Sequence, residues 1–344
     1  MPGRDRPGGA AGLGADAGAG RRRHGTGGTP PTSLAGYSVP LADVVGAMGL
    51  MRVAGGHVDL SDLRLTTPEV NRPGLQLTGY TEHFAADRLQ IIGWTETAYL
   101  SSLDPVIRER RLDAYFALGF PALVVARGLH VMPDMVAAAD RHHVPVFATD
   151  SLTSEFAGAL TWLLIHALAP RTVVKASFLD VYGEGILLRG EPHVGERETS
   201  LELVRRGHRL VAAHRVEVRR ISEVHLRGRA PEGQRHLIDI PGVGEVDVEE
   251  LFGMGAIKPD ARLTLVVTLE IRDPDLEYER VGIESRTTEV FGVEASHVTI
   301  PVQPGRNLAV IIEAAALNHR MRGLGYNAAR DLLSGGGERT AEKG

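Results

Sequence analysis

One stretch constrains what this chain can fold into more than any other: Gly190 to Val218, GEPHVGERETSLELVRRGHRLVAAHRVEV. A run ending Ile186-Leu-Leu-Arg-Gly feeds it, Glu198 to Arg206 reads as a helix, and Arg209-Leu-Val suits a returning strand. Strand, glycine loop and helix is the arrangement in which backbone amides at a helix N-terminus cradle a phosphate. In the P-loop pattern G-x-x-x-x-G-K-[ST], the lysine reaches the β- and γ-phosphates and the hydroxyl ligates Mg²⁺. Gly190 and Gly195 have that spacing, but the next two residues are Glu196 and Arg197. The frame of a nucleotide loop is present without its two chemical residues.

At 344 residues the chain is long enough for two domains, each with its own core. A formal net charge of -5 gives no electrostatic footprint for nucleic acid, and the absence of cysteine excludes disulfides and thiolate metal sites. Residues 1–33 hold ten glycines and the run Arg21-Arg22-Arg23, too little apolar surface for a core and no apolar segment of a signal peptide, so a disordered tail is expected there. Residues 334–344 read as a second tail. The longest apolar stretch, Ala157 to Ala169, is too short to span a bilayer, and a cytoplasmic protein without a membrane or nucleic-acid partner is expected.

Between the tails the pattern predicts an N-terminal α/β domain over 34–150 and a second domain over 151–333. In the first, helices are expected at Leu41 to Leu50, Glu96 to Leu103, Pro105 to Leu118 and Pro133 to His142. Strands are expected at Leu75-Gln-Leu, Leu89 to Ile92, Ala122 to Ala126 and Val144 to Phe147. His142-His143 reads as a pair at a helix end favoured by the dipole, not as a metal site. In the second, a long helix from Thr153 to Leu168 leads to two strands within Val173 to Leu188, then the glycine loop. Beyond it come strands at Val216 to Ile221, Glu223 to Leu226, Leu237 to Ile240, Leu263 to Glu270 and Val298 to Val302, and a short helix over Val248 to Phe252. A helix from Leu308 to about Arg322 has Asn307 as its N-cap, and a last one covers Asn327 to Leu333.

From about Leu34 to Leu333 the sequence resembles the bacterial HPr(Ser) kinase/phosphorylase family. The resemblance rests on Asn71-Arg-Pro-Gly-Leu-Gln-Leu-Thr-Gly-Tyr, Asp180-Val-Tyr-Gly, Glu202-Leu-Val-Arg-Arg-Gly-His-Arg-Leu-Val-Ala, Leu251-Phe-Gly-Met-Gly-Ala-Ile and Pro301-Val-Gln-Pro-Gly-Arg-Asn-Leu-Ala-Val-Ile-Ile-Glu, in family order. It implies an N-terminal α/β domain, a C-terminal P-loop kinase domain similar to phosphoenolpyruvate carboxykinase, and a homo-hexamer. It also implies ATP or pyrophosphate with Mg²⁺ as cofactors, an HPr-like phosphocarrier as partner, and a regulatory role in carbon-catabolite control through phosphorylation and phosphorolysis of a serine.

The chemical residues implied by the resemblance are mostly replaced. The loop's Lys and Ser fall on Glu196 and Arg197, the paired aspartates that supply base and metal ligand on Ala213 and His214, and the histidine before Asp-Val-Tyr-Gly on Lys175. The signature loop reads Asp239-Ile-Pro-Gly-Val-Gly, so its Glu is Asp239 and its Arg is Pro241. Gly190, Gly195, Asp180, Gly242, Gly244, Arg280 and Arg306 keep the family's residue. At about 4 Å and an effective dielectric near 20, each charge unit against a phosphate is worth roughly 4 kcal/mol, so a Glu in place of a phosphate-binding cation weighs heavily. The Mg²⁺ site is expected to be lost, and the expected function is that of a non-catalytic or weakly active regulatory or scaffolding relative. The alternative is an active serine kinase/phosphorylase in which Lys175, Arg197 or Arg215 supplies the cation and His214 the base; binding of a different anion at Lys175 and Arg197 is a third reading. For Gly190 and Gly195, a purely steric role stands beside nucleotide contact.

Overall fold

The computed structural model describes residues 36–234, 236–271 and 286–325. The tails, Arg280 and the helix expected at Asn327 to Leu333 lie outside the described residues.

The first body comprises β1 (Val39–Pro40), α1 (Leu41–Met48), β2 (Met51–Ala54), β3 (Arg64–Leu65), β4 (Val70–Asn71), α2 (Gly74–Leu77), β5 (Leu89–Ile92), α3 (Trp94–Ser102), α4 (Pro105–Phe116), β6 (Leu123–Val125), α5 (Pro133–Arg141), β7 (Val146–Ala148) and α6 (Thr153–Leu168). Its sheet has the order β2-β7-β6-β5-β4, parallel except for β2 against β7. Strands β5 and β6 are buried throughout, as a parallel sheet covered on both faces requires. Alternate residues serve two cores. Ile91, Val124 and Phe147 meet α1 and α6, whereas Ile92, Leu123, Val125 and Val146 meet α2 to α5. Helix α6 presents Phe156, Leu160, Leu164 and Leu168, one residue every fourth position, to the first of these cores.

Leu75-Gln-Leu is helical, not a strand. The amide of Leu77 reaches back to the carbonyl of Pro73, and the exposed Leu75 beside buried Leu77 imitates strand alternation over a single turn. The two histidines ending α5 separate as their adjacency requires: His142 Nε2 lies 2.8 Å from Asp113 Oδ1, and His143 Nδ1 lies 2.6 Å from His57 Nε2.

The second body comprises β8 (Arg171–Val174), β9 (Ser177–Val181), β10 (Glu184–Gly190), α7 (Glu196–Arg205), β11 (Arg209–Ala212), β12 (Val216–Ser222), β13 (His225–Arg229), β14 (Leu237–Ile240), β15 (Gly244–Asp247), α8 (Val248–Phe252), β16 (Asp260–Ile271), β17 (Arg286–Val290), β18 (Val293–Val302) and α9 (Leu308–Gly323). Its main sheet runs β11-β9-β10-β16-β13-β12-β8, with β18 parallel to β16 and β17 outside β18. The first residues of β16 pair antiparallel with β13, and its later ones run parallel to β10 and β18. Helices α7 and α9 cover one face, where Leu203, Val204, Ile312 and Ala316 pack on Ile186, Leu188, Leu265 and Val267. On the other face Phe178, Leu187, Val211, Val216 and Val266 form a separate core.

Val173 to Leu188 forms three strands where two are expected. The chain leaves β8, which pairs with β12 at one sheet edge, and joins β9 near the other, so the run must break at Lys175-Ala176. Strand β17 was not expected either. Its hairpin turn has Phe291 at φ 47° and Gly292 at φ 77°, the two left-handed residues a tight hairpin needs. Asn307 caps α9 as expected, its side chain accepting from the amide of Val310 at 3.3 Å. Among the described residues, no helix is long and apolar enough to cross a membrane.

Candidate functional site

The site forms where β10 ends. After Gly190 the chain turns through Glu191 to Val194, with His193 at φ 70°, and passes Gly195 at φ 85° into α7. The two glycines are needed for different reasons. A Cβ on Gly190 would lie 2.9 Å from the carbonyl oxygen of Leu269 and 2.5 Å from Val194 Cγ2, so the close passage of β16 leaves no room. Gly195 has open space around it and is required by its left-handed backbone. Both positions are therefore needed by the fold, whatever the loop binds. Gly190→Ala is expected to cost about 1–3 kcal/mol through overpacking and Gly195→Ala about 1–2 kcal/mol through backbone strain. Urea denaturation of both variants measures this, and the added methyl at Gly190 alone should be sensitive to Val194→Ala, which opens space beside it.

Helix α7 starts at Glu196, two residues earlier than expected, so Glu196 and Arg197 belong to its first turn. The Glu196 carboxylate turns in toward the sheet and accepts from the Ser177 hydroxyl at 2.8 Å. Burial raises its pKa above the ordinary carboxylate value, and the hydrogen bond from Ser177 offsets part of that rise. Negative charge at a helix N-terminus is favoured by the dipole. Glu196 and Glu198 both stand in this first turn, and neither side chain caps its amides.

Arg197 reaches across to β14, where its Nη1 lies 2.5 Å from Asp239 Oδ2 and 3.3 Å from the Asp239 carbonyl. The amide of Asp239 donates to His214 Nε2 at 3.3 Å, which makes that nitrogen an acceptor and leaves the imidazole neutral. Burial, and then the Arg197 guanidinium, lower the His214 pKa against the opposing charges of Asp239 and Glu245. His214 itself sits at φ 62° in a three-residue turn closed by Arg215 N–H to the Ala213 carbonyl at 2.7 Å, a rare and strained conformation. Ala176 donates to the carbonyl of His214 at 3.3 Å and so brings the exposed Lys175 beside the same turn.

The structure thus draws Glu196, Arg197, His214, Asp239 and the backbone at Lys175 into one neighbourhood. Pro241 and Gly242 (φ 81°) are the central pair of a turn closed by Val243 N–H to the Ile240 carbonyl at 3.0 Å. This is the pairing a type II turn prefers, so Pro241, Gly242 and Gly244 serve the β14–β15 hairpin and bring no cation to it. Arg306 is exposed in the turn before α9. Asp180 lies three residues along β9 from Ser177, about 10 Å away at strand spacing. It is buried, takes the amide of Gly183 at 3.1 Å, and pairs with Lys258 and with Arg209 at 3.5 Å. Sequence reasoning missed this anchoring and the Ser177 contact: the β11–β9 pairing sets Arg209 opposite Asp180, and the β9–β10 register sets Ser177 opposite Leu188, beside the loop.

This donor set does not suit a divalent cation. Hard cations take oxygen ligands, whereas one carboxylate here is tied to a guanidinium, another to a serine hydroxyl, and the remaining positions are Ala213 and a neutral imidazole. Among the described residues, no cluster of three or more His, Asp or Glu side chains could hold a metal.

Two family models match this chain in succession, the HPr Serine kinase N terminus over residues 39–164 and the HPr Serine kinase C-terminal domain over residues 166–335. An HPr kinase/phosphorylase of Caldanaerobacter subterraneus is 44% identical over 268 residues, covering 78% of this chain and 88% of that protein. The chain belongs to the HPr kinase/phosphorylase family. A second member, from Lachnoclostridium phytofermentans, is 41% identical over 299 residues, covering 87% of this chain and 96% of its own. Among solved structures, the Hpr(Ser) kinase/phosphatase from Coxiella burnetii aligns with 47% of this chain and 98% of its own, at 30% identity and a TM-score of 0.42.

Proposed function

We propose that this chain is a regulatory member of the HPr kinase/phosphorylase family, engaging an HPr-like phosphocarrier while its own charges close the phosphoryl-transfer site. The observation that carries this reading is Glu196, whose half-buried carboxylate stands in the first turn of α7, held by Ser177, where the family resemblance calls for a phosphate-binding cation. Phosphoryl transfer depends on positioning and electrostatic stabilisation, so a fixed negative charge there opposes both binding and the transition state. The pairing of Arg197 with Asp239 adds to this, because the cation nearest the loop is already neutralised. Assembly as a homo-hexamer belongs to the proposal and is checked by sedimentation.

A second reading has its own observation. Arg197, Asp239 and His214 remain together beside the loop, so an ATP- or pyrophosphate-dependent serine kinase/phosphorylase could use His214 as base and Arg197 as phosphate cation. Calorimetry of the full chain with ATP and with pyrophosphate, each with Mg²⁺, separates the two. The regulatory reading expects no binding tighter than about 1 mM and no labelling of an HPr-type carrier, together with direct binding of that carrier. Tighter nucleotide binding or label transfer overturns it and establishes the second.

A further inference from the structure

The face of the second sheet opposite α7 carries a second polar cluster that the family assignment does not explain. Arg189, one residue before Gly190, points away from the glycine loop, because its alternate neighbour Leu187 belongs to the core on that side. Its Nε donates to Thr268 Oγ1 at 3.1 Å and its Nη2 to Thr288 Oγ1 at 3.5 Å. Thr268 Oγ1 in turn lies 2.8 Å from His297 Nε2. Arg286 stands opposite His297 in the β17–β18 pairing. Arg189 and Thr268 lie near the carboxyl ends of the parallel strands β10 and β16, His297 lies midway along β18, and Thr288 is on the antiparallel edge strand β17.

The unusual member is Arg189. It is half-buried and, among the described residues, forms no ion pair with a carboxylate and has no hydrogen-bond partner for its Nη1 amine. Glu270 is near enough to act on it through space but not to bond it. A half-buried guanidinium held only by two weak hydroxyl partners is poorly compensated, whereas a bidentate oxyanion matches its fork. Burial, then Arg189 and Arg286, lower the His297 pKa, so its imidazole reports directly on charge arriving beside the two arginines.

We infer that Arg189, Thr268, Thr288 and His297 form a binding site for a phosphate group, separate from the glycine loop and on the opposite face of the sheet. The ligand is either free inorganic phosphate or a phosphate monoester, which share the tetrahedral oxyanion that the guanidinium and the hydroxyls would grip. The site and the glycine loop meet at the peptide between Arg189 and Gly190, yet the inference does not depend on whether the loop binds nucleotide.

The test titrates inorganic phosphate and methyl phosphate, in parallel and without Mg²⁺, into the full chain while the His297 imidazole resonances are followed by NMR. Saturable binding with a rise in the His297 pKa is expected, and whichever anion binds more tightly names the source. Arg189→Gln is expected to weaken binding at least about tenfold, as the loss of a charged hydrogen-bonding partner does, while Arg197→Gln in the glycine loop leaves it unchanged. Should Arg189→Gln fail to fold, Thr268→Val removes the hydroxyl that positions both Arg189 and His297 and should weaken binding in the same way. Acetate is expected to bind at least about tenfold more weakly, having the smaller charge. Unmoved His297 resonances, undiminished binding in both variants, loss of binding in Arg197→Gln, or acetate binding as well as phosphate would each overturn the inference.

Discussion

A chain carrying Glu196→Lys, Arg197→Ser, Ala213→Asp and His214→Asp is expected to bind magnesium pyrophosphate at least a hundredfold more tightly than the natural chain, on the order of 3 kcal/mol. The backbone that cradles a phosphate is already in place. Gly190 and Gly195 hold the turn, and α7 follows at once with its first amides free for an anion. What opposes binding is charge. Changing Glu196 to Lys moves the first turn from one negative charge to one positive, and each unit is worth roughly 4 kcal/mol against a phosphate charge at about 4 Å and an effective dielectric near 20. Solvent access and rearrangement will return much of that, which is why the expected gain is well below the Coulomb figure.

The four changes are not equivalent. Glu196→Gln alone removes the repulsion without adding a cation, so it should raise the affinity by less than Glu196→Lys does. Arg197→Ser releases Asp239 and supplies a hydroxyl, and the two new aspartates provide oxygen ligands on the turn where His214 now sits. Ala213→Asp and His214→Asp without the loop changes should leave pyrophosphate binding undetectable, because carboxylates added to an uncompensated Glu196 only increase the repulsion. Calorimetry across this series checks the order. Equal affinity for all variants would show that charge at the first turn of α7 is not what governs the site, and the regulatory reading would lose its main support.

Much of the frame is legible in the sequence because it follows local rules. The buried runs Leu89 to Ile92 and Leu123 to Val125, the Asn307 cap and the spacing of Gly190 and Gly195 each state their role within a few residues. The contacts that define the site are of another kind. Arg197 meets Asp239 across 42 residues, and Ser177 meets Glu196 across 19, through a strand and a helix whose relative placement no local pattern encodes. That Asp239 neutralises Arg197 depends on β14 lying against α7, which neither residue states by itself. Pro241 shows the same limit from the other side. As a missing arginine it is a loss, whereas beside Gly242 it is a well-suited turn residue. The error at Leu75 to Leu77 arose because one helical turn and a short strand can share an alternating pattern.

Replacing Glu313 should cost the second body a large part of its stability. Glu313 lies on α9, about a tenth exposed; its Oε1 accepts from Arg206 Nε at 2.9 Å and its Oε2 from Arg206 Nη2 at 2.6 Å, while His208 Nε2 lies 2.9 Å from the same Oε1. Through these contacts it fastens the end of α7 and the start of β11 to α9. Glu313→Ala leaves Arg206 and the buried His208 without their carboxylate, and a cost of about 3 kcal/mol is expected from breaking such a pair. The hydrogen bonds from Arg206 hold the Glu313 pKa below its ordinary value, with His208 adding to the effect against desolvation. A carboxylate whose pKa is lowered by folding stabilises the fold fully above its unfolded value, about 4.3, and loses that contribution as pH falls through the lowered folded value. Urea denaturation should therefore separate the natural chain from Glu313→Gln clearly at pH 7, with the gap narrowing steadily below about pH 4. A gap that stays constant down to acid pH would mean that Glu313 acts through shape and packing on α7, not through its charge.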